Sequence, residues 1–365
     1  MTEPAASYAA AGVDINAADN ALAGLVGWLN KTLDFPSPTG RPAIANGFFA
    51  TVHDLGGDMG IAIGTDGVGT KLLVAEAMGK YDTVGIDLIA MNANDILCVG
   101  ARPFALVDYL AVQDIRADML EALGRGLYEG AKLAGVAIAG GELAQVPDLI
   151  RGLKEGEGFD IAATCMGVVN ISKIIDGRDI RDGDLVVGYR SSGLHSNGYT
   201  LARRVLLSSE TFSLTAQVPE LGCTLGEELL RPTHIYVKPV LAAMEQTGGV
   251  TGLAHITGGG FTNLLRLRTT CGLELDNLPA PPAIFGLIQR TGEIATTEMY
   301  EVFNMGVGFC AVVRPEAADR TVAVAAEHGY QAQVIGRMRA DLTGRVLLPG
   351  VGLEGDKRGF RAVGR

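Results

Sequence analysis

No two cysteines of this chain stand close enough in sequence to form a metal cage or a redox pair. The five, Cys98, Cys165, Cys223, Cys271 and Cys310, are scattered, odd in number and set in mostly apolar surroundings without a CxxC. Free buried thiols in a reducing cytoplasm are the expectation. The five histidines, His53, His195, His234, His255 and His328, make no HxH or HExxH, which removes the usual zinc-hydrolase patterns. GxxxxGK[ST] is absent, so any nucleotide must be held without a Walker A loop, and GxSxG is absent, which argues against a serine-hydrolase elbow. Charges cut every apolar run before it reaches membrane-spanning length, and the first residues lack a basic segment followed by an apolar core, so neither a membrane span nor a secretory signal is expected. Positive charge is also short: 30 Lys and Arg against 41 Asp and Glu leave a net charge of -11, a poor match for nucleic acid or an anionic membrane.

Glycine is in excess. Fifty in 365 residues is roughly twice the usual share of about 7%, and without a G-X-Y period it signals tight turns and close approaches of backbone to ligand. With 48% hydrophobic residues the chain can build two cores.

Periodicity predicts a helix over 14–31, a proline- and glycine-rich loop, then a strand near Phe48–Val52. Strand, turn and helix follow through "GIAIGTDGVGTKLLVAEAM", with Asp66 at the strand end and the helix over Lys71–Met78. A helix is expected over about 84–99, a strand over 103–112, a helix over 117–135, and strands over 136–146 and 160–169. The second half offers a strand from Leu185, helices over 199–207 and 237–248, a strand or turn into a helix around "GLAHITGGGFTNLLRL", a strand in "FNMGVGFCAVV", a helix after Pro315 and a strand in "YQAQVIGRM". Two α+β domains are the fold expected, 1–170 and 171–345, with 346–365 an unassigned tail.

Several polar groups sit where they are costly. Asp66 ends an apolar strand before "GVGT", where a carboxylate can coordinate Mg2+ and the amides or Lys71 can meet phosphate, unless Asp66 merely caps the turn. Asp87, Asn92, Asn94 and Asp95 interrupt an otherwise apolar helix and require either a paired network or a metal. Glu142 repeats the pattern of a strand ending in an acid. If Asp66, Asp95 and Glu142 meet at one rim, their repulsion calls for a divalent cation carrying a polyphosphate. "SSGLHSNGY" concentrates Ser191, Ser192, His195, Ser196 and Asn197 in one loop, and "AHITGGGF" sets His255 and Thr257 before Gly258, Gly259 and Gly260, where free amides at a helix start can receive an anion. Residue chemistry alone reaches a phosphate-handling, magnesium-dependent enzyme.

The ordered blocks "GTDGVGTKL", "TVGIDLIAMNANDIL", "GARPFALVDYLAV", "AGGELAQVP", "GLHSNGY", "PTHIYVKPV", "AHITGGGF" and "EMYEVFNMGVG" resemble the phosphoribosylformylglycinamidine cyclo-ligase (aminoimidazole ribonucleotide synthetase) family over roughly residues 8–340. The resemblance implies an α+β fold whose first domains pair across a homodimer into a closed β structure. It implies a cytoplasmic enzyme using MgATP, with K+ as a further candidate ion, to close formylglycinamidine ribonucleotide into aminoimidazole ribonucleotide. A related ATP-dependent kinase or dehydratase of another small metabolite is the alternative. It assigns catalysis to Asp95, His195 and Asp66, metal binding to Asp66, Asp95 and Glu142, and ATP contacts to Asp66, Gly67, Thr70, Lys71, Asp95 and Glu142. Substrate contacts fall to His195, Ser196, Asn197, His255, Gly258 and Gly259. Leu143 and Gln145 stand where the family has threonine and glutamate.

Overall fold

A computed structural model describes residues 22, 24–36, 38–207 and 212–363. The first part of the helix expected over 14–31 lies outside the described residues; 24–29 are helical. The early strand is displaced from the expected Phe48–Val52 to Thr51–Gly56, because pairing with the strand after the Gly57–Asp58 turn sets its register.

The first sheet has six strands: β1 (Pro42–Ile44), β2 (Thr51–Gly56), β3 (Met59–Gly67), β4 (Arg102–Val112), β5 (Ala137–Gln145) and β6 (Phe159–Asn170), in the order β1-β2-β3-β6-β4-β5. Every pairing is antiparallel except β4 with β5, which are parallel and joined through a helix. Between these strands run α1 (Leu72–Met78), α2 (Asp82–Leu97) and α3 (Ala117–Ala134). Helix α2 is buried on nearly all sides, with Leu88, Ile89, Ile96 and Leu97 at 0% exposure. Glycine lets α3 lie directly on it: a methyl at Gly126 would fall 1.8 Å from the Asp82 carbonyl oxygen, and one at Gly85 2.6 Å from the Leu127 nitrogen.

Among the described residues, helices cover one face of this sheet. Met59, Val107, Tyr109 and Val168 are exposed on the other, with Ile61, Ile63 and Met166 half-buried between them. The edge strand β5 is exposed along nearly its whole length. Such a face and edge normally find a partner.

Between β7 (Leu185–Arg190) and β10 (Val250–His255), β8 (Gln217–Val218) and β9 (Cys223–Thr224) form a separate pair; the second sheet has eight strands in the order β10-β12-β7-β13-β11-β14-β15-β16, with β11 (Gly272–Glu274), β12 (Val307–Val313), β13 (Ala332–Arg339), β14 (Val346–Leu348), β15 (Leu353–Asp356) and β16 (Gly359–Ala362). Strand β12, one in from the β10 edge, is buried at every position. Residues 346–362 are thus three strands continuing the sheet, where sequence patterning assigns no element. Short strands hide from periodicity because three or four residues cannot display it. The polar stretch before α4 (Tyr199–Leu207) carries the loop 191–198, and "GGGFTNLLR" forms a 3-10 helix, Gly260–Arg266. All five cysteines are free, and no helix among the described residues is long and apolar enough to cross a membrane.

Candidate active site

Where α2 crosses between the two sheets, Asp87, Asn92 and Asn94 each have partners. Asn92 clamps the end of β3: its Oδ1 accepts from the Asp66 N–H at 3.0 Å and its Nδ2 donates to the Asp66 carbonyl at 3.1 Å. Asn94 reaches the second sheet's side, donating to the His234 carbonyl at 2.9 Å and accepting from the Tyr236 N–H at 2.9 Å. Asp87 accepts from the N–H and Oγ1 of Thr233 at 2.7 and 2.6 Å and pairs with Lys71 at 2.8 Å. For Asp87, Asn92 and Asn94 the network answers the cost of burial.

Asp95 points elsewhere. Its Oδ1 meets Nδ1 of His255 at 2.8 Å, and His255 Nε2 lies 3.4 Å from the Asn94 amide nitrogen. An amide NH2 can only donate, so in the neutral ring Nε2 accepts and Nδ1 carries the proton toward Asp95. Nearby, Asp66 accepts from the Gly67 N–H at 2.7 Å, yet burial and then the Asp95 charge push its carboxyl up to about 6. Arg266, from the 3-10 helix after the glycines, and His255 pull it back only in part. Asp66 and Asp95, close enough for the charge of one to raise the other, are a pair that could hold a divalent cation.

A cleft of about 500 Å³ opens beside Asp66, lined by Asp66–Thr70, Met91, Asp160–Ala162 and Ser196–Thr200. Asn197 faces Gly258, where an added methyl would lie 3.4 Å from its Oδ1, so the two glycine-rich loops of the second domain adjoin each other. The Gly258–Gly259 turn is held from within: Asn263 accepts from the Thr257 N–H at 2.9 Å and donates to the Gly258 carbonyl at 3.3 Å. Ser196 shares a hydrogen bond with Thr233 at 3.0 Å.

Three residues lie otherwise than expected. Glu142 pairs with Tyr109 on the sheet's exposed face, whereas Asp66 pairs with Ala163 on the helix-covered face, so the three acids do not meet within one chain. Among the described residues no three His, Cys, Asp or Glu converge on a metal position. The Lys71 ammonium is fully buried against Asp87 and two carbonyls, with no path to a phosphate in the cleft. The His195 ring is buried too, against Tyr236 and His234. Its Nε2 accepts from the Ser192 N–H at 3.2 Å, its Nδ1 lacks a partner, and burial holds the imidazole neutral. The loop presents Ser196, Asn197 and Gly198 to the cleft instead. Sequence reading passes over Asp160, Thr200 and Arg266; a lone charge or hydroxyl in an unremarkable segment offers no local signal.

Residues 48–169 match the N-terminal domain and 181–348 the C-terminal domain of AIR synthase related proteins. The phosphoribosylformylglycinamidine cyclo-ligase of Methanothermobacter thermautotrophicus is 48% identical over 325 residues, 89% of this chain and 92% of its own. That of Thermococcus kodakarensis is 49% identical over 323 residues, 88% and 92%. Among solved structures, thiamine-monophosphate kinase from Stenotrophomonas maltophilia superposes with a TM-score of 0.59 at 18% identity, covering 85% of this chain and 91% of that one. T. maritima PurL complexed with ADP gives 0.53 at 19% identity, covering 84% and 44%. These two share the fold. With nearly half of all positions identical along almost its full length to two such enzymes, the chain belongs to the phosphoribosylformylglycinamidine cyclo-ligase family.

Proposed function

We propose that the chain closes formylglycinamidine ribonucleotide to aminoimidazole ribonucleotide at the expense of ATP. A formamide oxygen is a poor leaving group. Transfer of the γ-phosphoryl group of ATP to that oxygen makes it a good one; the amidine nitrogen then attacks the formyl carbon, and phosphate departs as the five-membered ring closes. ADP is the other product. The observation that carries this reading is that Asp66, which lines a cleft between the two domains, is coupled through its charge to the Asp95–His255 pair, in a chain so similar to cyclo-ligases.

Asp66 and Asp95 would hold magnesium, which offsets charge on the transferring phosphoryl group. His255 fixes Asp95 by its Nδ1–H. The Gly67–Thr70 turn borders the phosphates, and Ser196, Asn197 and the Gly258–Gly259 turn face the substrate, whose folded-up geometry makes the ring closure effectively unimolecular. Potassium remains a candidate for charge balance, and the free thiols suit a reducing cytoplasm.

The first domain, to about residue 170, is the ATP-binding and pairing unit. Its uncovered sheet face, with Val107, Tyr109 and Val168 exposed, supports a homodimer in which two sheets close on each other. Glu142 projects from that same face, so its role at the metal would be exercised across the dimer interface.

The test is incubation with formylglycinamidine ribonucleotide, MgATP and K+, following aminoimidazole ribonucleotide and ADP together. One ADP per ring closed, and none closed without ATP, is the expected result; ADP formation without a closed ring would refute the reading.

A further inference from the structure

We infer that Lys71 is a positioning residue, which fixes the substrate-side loop 195–198 against the nucleotide-side turn 67–70. The inference rests on the cyclo-ligase reading only for what the loop touches. Lys71 closes the turn Gly69–Lys71 that begins two residues after the cleft-lining Asp66–Gly67 step. Its ammonium has three contacts: Asp87 Oδ2 at 2.8 Å, the His195 carbonyl at 3.0 Å and the Arg231 carbonyl at 2.6 Å. Two carbonyls accept from the ammonium and Asp87 Oδ2 balances its charge, in a setting that is fully buried.

Both carbonyls belong to the second domain, and each neighbours a residue of the cleft wall or its support. His195 immediately precedes Ser196, and Arg231 precedes Thr233, which bonds both Asp87 and Ser196. The contacts therefore form a ring: Lys71, His195 carbonyl, Ser196, Thr233, Asp87 and back to Lys71. His195 holds φ at 63°, a left-handed conformation that a non-glycine residue keeps only when its surroundings enforce it. A second tether runs alongside, Thr70 Oγ1 to Thr200 Oγ1 at 3.0 Å. The turn that borders the phosphates and the loop that faces the substrate are thus one mechanical unit joined through a buried ion pair. Loss of that join should misalign the two reactants while leaving the ATP-side residues in place.

The test is the double variant Lys71→Met with Asp87→Asn. It removes both charges, so no lone ion is stranded, and keeps Oδ1 of residue 87 as acceptor for Thr233. The expected result is a folded protein whose KM for ATP stays within about twofold while kcat falls on the order of 10²-fold, and whose backbone amides over 192–198 exchange hydrogen faster. A large rise in KM for ATP with kcat kept would mean Lys71 serves the phosphates and would overturn the proposal. Unchanged exchange over 192–198 in the folded variant would overturn it as well, even if melting came earlier. Should the double variant not fold, Asp87→Asn alone is read by the same criteria. If the unaltered protein closes no ring, the cyclo-ligase reading fails by itself, and the exchange measurement still decides the role of Lys71.

Discussion

His255, at the end of β10 in the second domain, holds Asp95, near the end of α2 in the first, through a 2.8 Å hydrogen bond between Nδ1 and Oδ1. The histidine is fully buried and the aspartate about one-fifth exposed, so a group anchored in the interior of one domain fixes an acid of the other where the domains meet.

Replacing His255 by Gln should therefore weaken catalysis through Asp95. A hydrogen bond to a charged group is worth about 1.5–3 kcal/mol, so kcat/KM should fall roughly 10- to 100-fold. Because both residues act on one function, the loss in the Asp95→Asn, His255→Gln double variant should be smaller than the two single losses multiplied. Independent, multiplicative losses measured by steady-state kinetics would show that the contact does not orient Asp95.

Asp66 supplies a pH signature. Its carboxyl titrates at about 6 in the folded protein against an ordinary 3.8. Magnesium needs the ionised form, so kcat/KM for MgATP should decline with a slope of one below about pH 6. The stability effect has the opposite sense. A raised carboxyl means that the folded chain binds the proton more tightly, so stability is highest below the unfolded value and is lost as pH rises through 6. Asp66→Asn should thus stabilise the ligand-free protein at pH 8 by on the order of 2–4 kcal/mol, while turnover disappears. Denaturant melts at pH 5 and pH 8 measure it; equal effects at both would remove the buried-charge explanation.

His195→Ala should act first on stability. The ring fills interior space against Tyr236, and a methyl at Gly308 would lie 2.3 Å from its Cε1. Deleting it should cost about 2–4 kcal/mol, seen by chemical denaturation, with kcat falling in the protein that remains folded because the loop loses its anchor. Loss of turnover at unchanged stability would instead point to a ring that reaches the substrate.

Tyr109→Glu, placed on the exposed sheet face beside Glu142, should keep the protein folded and prevent the proposed pairing of two first domains, since facing carboxylates cannot be desolvated together. Sedimentation velocity gives the mass. Turnover should drop with the dimer if Glu142 serves across the interface, and a monomeric variant with full activity would show that each chain is self-sufficient.

Much of this molecule is local chemistry written in order along the chain. Tyr199–Leu207, Ala117–Ala134 and Arg102–Val112 form close to where periodicity puts them, because an amphipathic helix or a half-buried strand carries its own record of which side faces apolar matter. Asp66 among its glycines, Asp95 within an apolar helix and the glycine turn after His255 are likewise visible as residues with a cost to explain. What the linear order does not contain is the side of the sheet on which an acid stands or the partner a buried cation finds. Glu142 leaves the cleft because strands alternate and the pairing of β5 with β4 puts it beside Tyr109; Lys71 leaves the phosphates because Asp87, His195 and Arg231, up to 160 positions away, surround it. Such choices are made by long-range packing, where the desolvation of one charge is balanced by groups that only the folded chain brings within reach.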